Sequence, residues 1–118
     1  MPEQVPGEPY IRVSSLEAKE LMDSLPEIAL IDVRAQDEYE SGHASGALHI
    51  PVDEVLSRFD ELPKDKKLFF NCAMGARSGL ACEMVAALGI TSDNLYNIED
   101  GTPAWIQKGF PVTYGSEA

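Results

Sequence analysis

Short apolar runs alternate along the 118 residues with amphipathic or polar stretches, and Gly, Pro or an acidic turn punctuates most boundaries. The sharpest case is Leu68-Phe69-Phe70, which leads through Asn71 into Cys72-Ala73-Met74-Gly75-Ala76-Arg77-Ser78 and then into Leu80–Leu88, rich in helix formers. That order predicts strand, tight loop and helix, with Gly89 as the helix stop. Ile28–Val33 is nearly unbroken in its apolar character, as expected of a strand buried on both faces, and Asp32 interrupts it near its end. Tyr10–Val13 and Asn94–Ile98 predict two further short strands. Ser14 followed three residues later by Glu17 has capping-box spacing, so a helix is expected from there until Pro26 stops it. Its apolar face (Leu16, Leu21, Met22) is thin, which suits a helix lying on a sheet. Gln36–Ser41 predicts a short polar helix or turn ended by Gly42. Asp53–Phe59 predicts one or two helical turns with Val55, Leu56 and Phe59 facing the core. Pro63–Lys67 is a polar turn whose lysines serve solubility, and Thr102–Trp105 opens a short helix with Pro103 in its first turn.

Strands alternating with helices predict an α/β domain with a mainly parallel central sheet and helices on both faces. The ligand crevice of such a sheet lies at the carboxyl ends of its strands. Cys72, Asp32 and the turn at Gly101 each follow a strand and are expected to converge there. The length suits one domain with a modest core that needs no disulfide or metal support. The expected division is a flexible N-terminal tail over 1–9, acidic and Pro-rich, a folded domain over 10–114, and a C-terminal tail over 115–118.

Charge narrows the range of partners. Nine Lys and Arg against 20 Asp and Glu give a formal net charge of −11, which disfavours nucleic acid and anionic membrane. An anionic substrate then has to be captured by a local positive site, and this directs attention to the loop. No apolar run approaches the roughly 18–20 residues of a membrane span, and the N-terminus lacks the pattern of a secretory signal, so the expected compartment is the cytoplasm.

The loop from Cys72 to Ser78 turns several backbone N–H groups inward at the start of a helix, where the macrodipole attracts anions. Cys72 is expected at the lip of this cradle, open to solvent and favoured as thiolate by the same field. Gly75 is expected to turn the chain with positive φ. From Cys72 to Arg77 the spacing is Cys-x-x-Gly-x-Arg, six residues, a ring with room for about one sulfur beyond the Cys. Ala73, Met74 and Ala76 are uncharged, so attraction falls to Arg77 and the backbone dipoles. Arg77 is expected to brace loop carbonyls, to draw in a donor anion, or to do both. Ser78 caps the helix or supports the site.

Elsewhere the candidates read as structural. If Ser78 begins the helix, Cys82 lies one turn inside it as a small buried residue, and a bridge to Cys72 would unwind the helix start. Asp32 and Arg34 are expected to brace the neighbouring loops through charge-assisted bonds, with Arg34 holding an anionic substrate as the alternative. His43 and His49 are expected to be structural. No Cys/His set has zinc spacing, and no metal or cofactor is expected. Trp105 reads as a core anchor.

Ile31-Asp32-Val33-Arg34, Glu38-Tyr39, Gly42-His43-Ala44-Ser45-Gly46-Ala47 with Ile50-Pro51, the Cys72 loop, and Gly101, Ala104-Trp105 with Gly109-Phe110-Pro111-Val112 together resemble the rhodanese-like sulfurtransferases. The resemblance runs from about Ile11 to Val112, and the family motif uses the matching His43 for loop geometry. It implies a ping-pong sulfur transfer in which Cys72 attacks the outer sulfur of a small anionic donor such as thiosulfate. A thiol or protein then accepts sulfur from the Cys72 persulfide, with Ala73, Met74, Gly75, Ala76, Arg77 and Ser78 forming the binding loop and Asp32 and Arg34 supporting it. The chain departs from the family pattern at Asp100, where Gly is common, and at Pro103. Asp100 is expected to add negative charge at the site's mouth. Two alternatives remain: a persulfide carrier or regulatory binding module that exchanges sulfur with a protein, and a phosphatase or arsenate reductase, whose loop would want one more residue and an acid for the leaving oxygen.

Overall fold

The computed structural model describes residues 2–25 and 27–118. Its strands are β1 (Glu3–Gln4), β2 (Ile11–Val13), β3 (Ile28–Asp32), β4 (His43–Ala44), β5 (Leu48–His49), β6 (Lys67–Asn71), β7 (Leu95–Ile98) and β8 (Val112–Thr113). Its helices are α1 (Ser15–Ser24), α2 (Gln36–Glu40), α3 (Ala76–Ala87) and α4 (Gly101–Gln107), with 3-10 turns at Val52–Glu54, Phe59–Glu61 and Ser92–Asn94.

A six-stranded sheet runs β1-β2-β7-β6-β3-β5, parallel throughout except for β1 at one edge, and β4 and β8 form a separate antiparallel pair. Residues Leu68 to Phe70 of central β6 are all buried, which is why that run is apolar without alternation. Leu68 and Phe70 pack with Ala81, Cys82 and Val85 of α3 and with Val55 and Leu62. Phe69 packs on the other face with Ala18 of α1, Tyr39 of α2 and Trp105 of α4. Helices therefore cover both faces of the sheet.

The capping box forms as the spacing predicts: Ser14 Oγ accepts the Glu17 N–H, and Glu17 Oε1 accepts the Ser14 N–H. α1 ends at Ser24; Pro26, the predicted stop, lies outside the described residues. α3 starts at Ala76, two residues before Ser78, because Gly75 turns the chain at φ +91° and accepts the first helical bond, Gly79 N–H to Gly75 O. Gly89 follows the end of α3 as expected, its N–H bonding Ala86 O.

Two expectations are corrected. Part of the stretch read as a flexible tail folds back as β1, paired antiparallel with β2, and Gln4 donates to the carbonyls of Glu8 and Tyr10. Leu56 is 54% exposed while Val55 is buried, because the chain there forms two separate 3-10 turns rather than one helix with a continuous inner face.

The register sets up the site. Asp32 at the carboxyl end of β3 stands opposite Asn71 of β6, which stands opposite Ile98 of β7. The segments beginning at Val33, Cys72 and Glu99 therefore leave the sheet side by side.

Candidate active site

Three elements form a cup around the Cys72 sulfur. Sγ accepts the Gly75 N–H at 3.0 Å and lies 3.2 Å from Ser78 Oγ. The N-terminus of α3 points at it, which favours negative charge. Burial pushes the Cys72 thiol up, but the Ser78 hydroxyl and the amides of Ser78, Met74 and Gly75 together outweigh it, leaving the thiol more acidic than usual.

Two glycines are steric requirements. A Cβ on Gly75 would lie 2.6 Å from Glu99 O, and one on Gly101, at φ +71°, only 2.1 Å from Ala73 O. No larger residue fits where the α4 start and the β7 exit press on the loop. Thr102 N–H donates to Cys72 O at 2.9 Å, and Asn71 Nδ2 donates to Thr102 Oγ1 at 3.0 Å, joining β6 to α4 beneath the loop.

Asn97 completes the cup and was not singled out from sequence. Its Nδ2 donates to Gly75 O at 3.1 Å, and its Oδ1 accepts the Ser78 hydroxyl at 2.5 Å. Ser78 has one hydroxyl proton, so Cys72 Sγ and Asn97 Oδ1 compete for it. With the proton on Asn97, a Cys72 thiol donates to Ser78 Oγ; a thiolate calls the hydroxyl back to sulfur. A buried amide inside an otherwise apolar strand was the available signal.

Several sequence-based placements change. Cys72 is 1% exposed and sits on the floor of the cup, not at its lip, because the Gly75 amide and Ser78 hold the sulfur inward. Met74 (81% exposed) and Ala76 form the outer rim, with Ala73 half-buried. Arg77 does not brace loop carbonyls: it forms a two-point ion pair with Glu38 of α2, at 2.7 and 2.9 Å. That partner holds the Glu38 carboxyl down at about 2, against the pull of partial burial. Glu38 Oε1 also accepts the Ala35 N–H, so this carboxylate ties the start of α2 to the loop. Asp100 turns its carboxylate toward the start of α1. Its Oδ1 accepts both the N–H and the hydroxyl of Ser15, capping α1 instead.

Asp32 and Arg34 form a buried pair, with Arg34 Nε and Nη2 on the carboxylate and Nη2 also on Gly42 O. The guanidinium is directed at these groups rather than at the sulfur. His43 stacks on Tyr39 at 3.6 Å, and its ring nitrogens face the carbonyls of Tyr39 and Glu117. His49 stacks on the same Tyr39 at 4.3 Å, with Nε2 against Arg34 O. Both contacts are structural in kind. Cys82 is free and fully buried, and burial pushes its thiol well above the usual value, so it has little nucleophilic character. Trp105 is buried and donates Nε1–H to Pro111 O.

Among the described residues, no group of three or more His, Cys, Asp or Glu is placed to hold a metal ion, and no helix is long and apolar enough to cross a membrane. Surface concavities run along α1 and around the amino ends of β3 and β6.

Known proteins resemble this chain in sequence and in fold. The chain is 35% identical over 95 residues to a putative sulfur carrier protein, YrkF, of Bacillus subtilis, covering 80% of this chain and 50% of that one. It is 29% identical over 103 residues to a sulfurtransferase of Allochromatium vinosum, covering 85% and 94%. A crystal structure of a rhodanese-related protein from Thermoplasma volcanium superposes with a TM-score of 0.75 at 29% identity, over 86% of this chain and 96% of that one. The chain spans between 39% and 59% of the length of three of the curated relatives it matches. The model of the rhodanese-like domain matches residues 14–108, and with the Cys72 cup at the carboxyl edge of its parallel sheet, this chain belongs to the rhodanese-like domain family.

Proposed function

We propose that the domain is a sulfurtransferase that carries sulfane sulfur on Cys72. The observation that supports this best is the sulfur itself: a thiol made more acidic than usual by the Gly75 amide and the Ser78 hydroxyl at the start of a helix. The Cys72 thiolate attacks the outer sulfur of the donor. The new Sγ–S bond forms as the donor's S–S bond breaks, and the bonding pair leaves with the departing group, which is sulfite when thiosulfate is used. Amides around Ala73 to Ser78 take up the negative terminal sulfur of the persulfide as they took up the thiolate. An acceptor nucleophile (cyanide in an assay, a thiol or protein in the cell) then removes that sulfur and restores the thiolate. The two free thiols suit a reducing compartment such as the cytoplasm. The floor position of Cys72 also favours a carrier reading, in which the sulfur is sheltered between protein donor and protein acceptor. Among the relatives, one is named a putative sulfur carrier and another, from Coxiella burnetii, a thiosulfate sulfurtransferase. A six-residue loop is one residue short of the phosphatase spacing, which speaks against phosphate transfer.

The test is mass spectrometry of the protein after incubation with thiosulfate and with 3-mercaptopyruvate. The expected adduct is one sulfur, an added mass of about 32 Da on the sulfur-transfer chemistry described, removed by cyanide with release of thiocyanate. Cys72→Ser abolishes both signals and Cys82→Ser retains them. Persulfide that survives Cys72→Ser refutes the assignment.

A further inference from the structure

The charge around the cup narrows the class of donor. Two guanidiniums lie near the carboxyl edge of the sheet, and both are already paired. Arg34, 6% exposed, is held by Asp32 and Gly42 O. Arg77 is held at two points by Glu38. The rim offers Ala73, Met74, Gly75 and Ala76, all without charge, and Met74 presents 81% of its surface to solvent. Glu99, exposed, adjoins the rim where its main chain presses on Gly75. The chain as a whole carries a formal net charge of −11. A dianion approaching Cys72 thus meets long-range repulsion, and among the described residues the two guanidiniums near the loop are both paired. An uncharged carbon chain meets a thioether, which adapts to irregular apolar surfaces.

On the sulfur-transfer reading above, we propose that the cup selects organic persulfides whose carbon side carries no negative charge over sulfur oxyanions such as thiosulfate, with Met74 as the residue that contacts the carbon side. The step is R–S–SH plus Cys72 thiolate giving Cys72–S–SH plus R–S⁻. The Sγ–S bond forms, the R–S to sulfur bond breaks with its electron pair going to RS⁻, the proton stays on the transferred sulfur, and no outside oxidant is required.

The test uses two donors with the same reacting group, the persulfides of N-acetylcysteine and of its amide, which differ by one carboxylate. Second-order rates of Cys72 persulfidation are read by mass spectrometry at low and high salt, with thiosulfate as a third donor. At low salt the amide reacts at least about threefold faster than the acid, in line with a single charge repelled through water, and the gap closes at high salt as screening sets in. Thiosulfate transfer is slower than either and rises with salt. Glu38→Gln, which frees Arg77, raises the thiosulfate rate about tenfold, the scale of a dianion about 6 Å from one new charge in water. Met74→Lys, which leaves α2 untouched, shifts the thiosulfate-to-amide ratio the same way. An acid persulfide as fast as the amide, or a thiosulfate rate that falls with salt, overturns the selectivity. Absence of Cys72 persulfide with all three donors overturns the sulfurtransferase reading itself, and this inference with it.

Discussion

Ser78→Ala is the most direct probe of how the cup acidifies Cys72. The hydroxyl lies 3.2 Å from Sγ and 2.5 Å from Asn97 Oδ1, and its single proton serves one of them at a time. A hydrogen bond to a charged acceptor contributes about 1.5–3 kcal/mol, and moving the proton off Asn97 gives up a neutral bond of about 1 kcal/mol. The net gain to the thiolate is therefore about 0.5–2 kcal/mol. With about 1.4 kcal/mol per tenfold, the thiolate population at pH 7 falls roughly tenfold in the variant. Removing the hydroxyl also leaves buried Asn97 Oδ1 without its donor, a loss of about 1–3 kcal/mol, partly offset by the higher helix propensity of Ala at about 0.5 kcal/mol. The assay is the pH dependence of iodoacetamide alkylation of Cys72 in a Cys82→Ser background, with urea unfolding to establish that the variant is folded. The alkylation profile moves to higher pH, the rate at pH 7 drops about tenfold, and the urea midpoint falls. An unmoved profile, or one moved to lower pH, refutes the claim that the Ser78 hydroxyl stabilises the thiolate, because the backbone donors of Met74, Gly75 and residue 78 are untouched.

Gly101→Ala forces a Cβ to within 2.1 Å of Ala73 O at a positive φ; the backbone strain alone costs about 1–3 kcal/mol, and both the unfolding midpoint and Cys72 reactivity are expected to fall. Asp100→Ala removes the acceptor of two Ser15 bonds and lowers stability by about 1 kcal/mol, as loss of an N-cap does, while Cys72 persulfidation by thiosulfate stays within about twofold at physiological salt, since the carboxylate is directed at α1 and its charge is screened. Glu38 has its folded pKa depressed to about 2 from an ordinary 4.5 by Arg77, so its contribution is present above about pH 4.5 and is lost as the pH falls toward 2. The pair is partly exposed, so the effect is only about 0.2–1 kcal/mol, and acid titration of urea stability in Glu38→Gln is expected to lack that part of the slope.

The sequence by itself determined the frame. The apolar character of Ile28–Ile31 and Leu68–Phe70 follows from burial on both faces, and burial on both faces is what a parallel sheet under two helical layers imposes. The Ser14–Glu17 cap, the Gly89 stop and the positive φ of Gly75 were legible because they depend on contacts within four residues or on the absence of a Cβ. Tertiary structure alone decided which partner each polar group takes. Arg77 finds Glu38 at a separation of 39 residues, Asp100 finds Ser15 at 85, and Ser78 finds Asn97 at 19. No periodicity encodes such pairs, since a side chain's hydrogen-bond capacity is local while its partner is set by which strand ends the sheet register brings together. The depth of Cys72 was decided in the same way: the loop composition predicts a nucleophile near a helix start, but only the pressure of the β7 exit and the α4 start on that loop puts the sulfur on the floor of the cup.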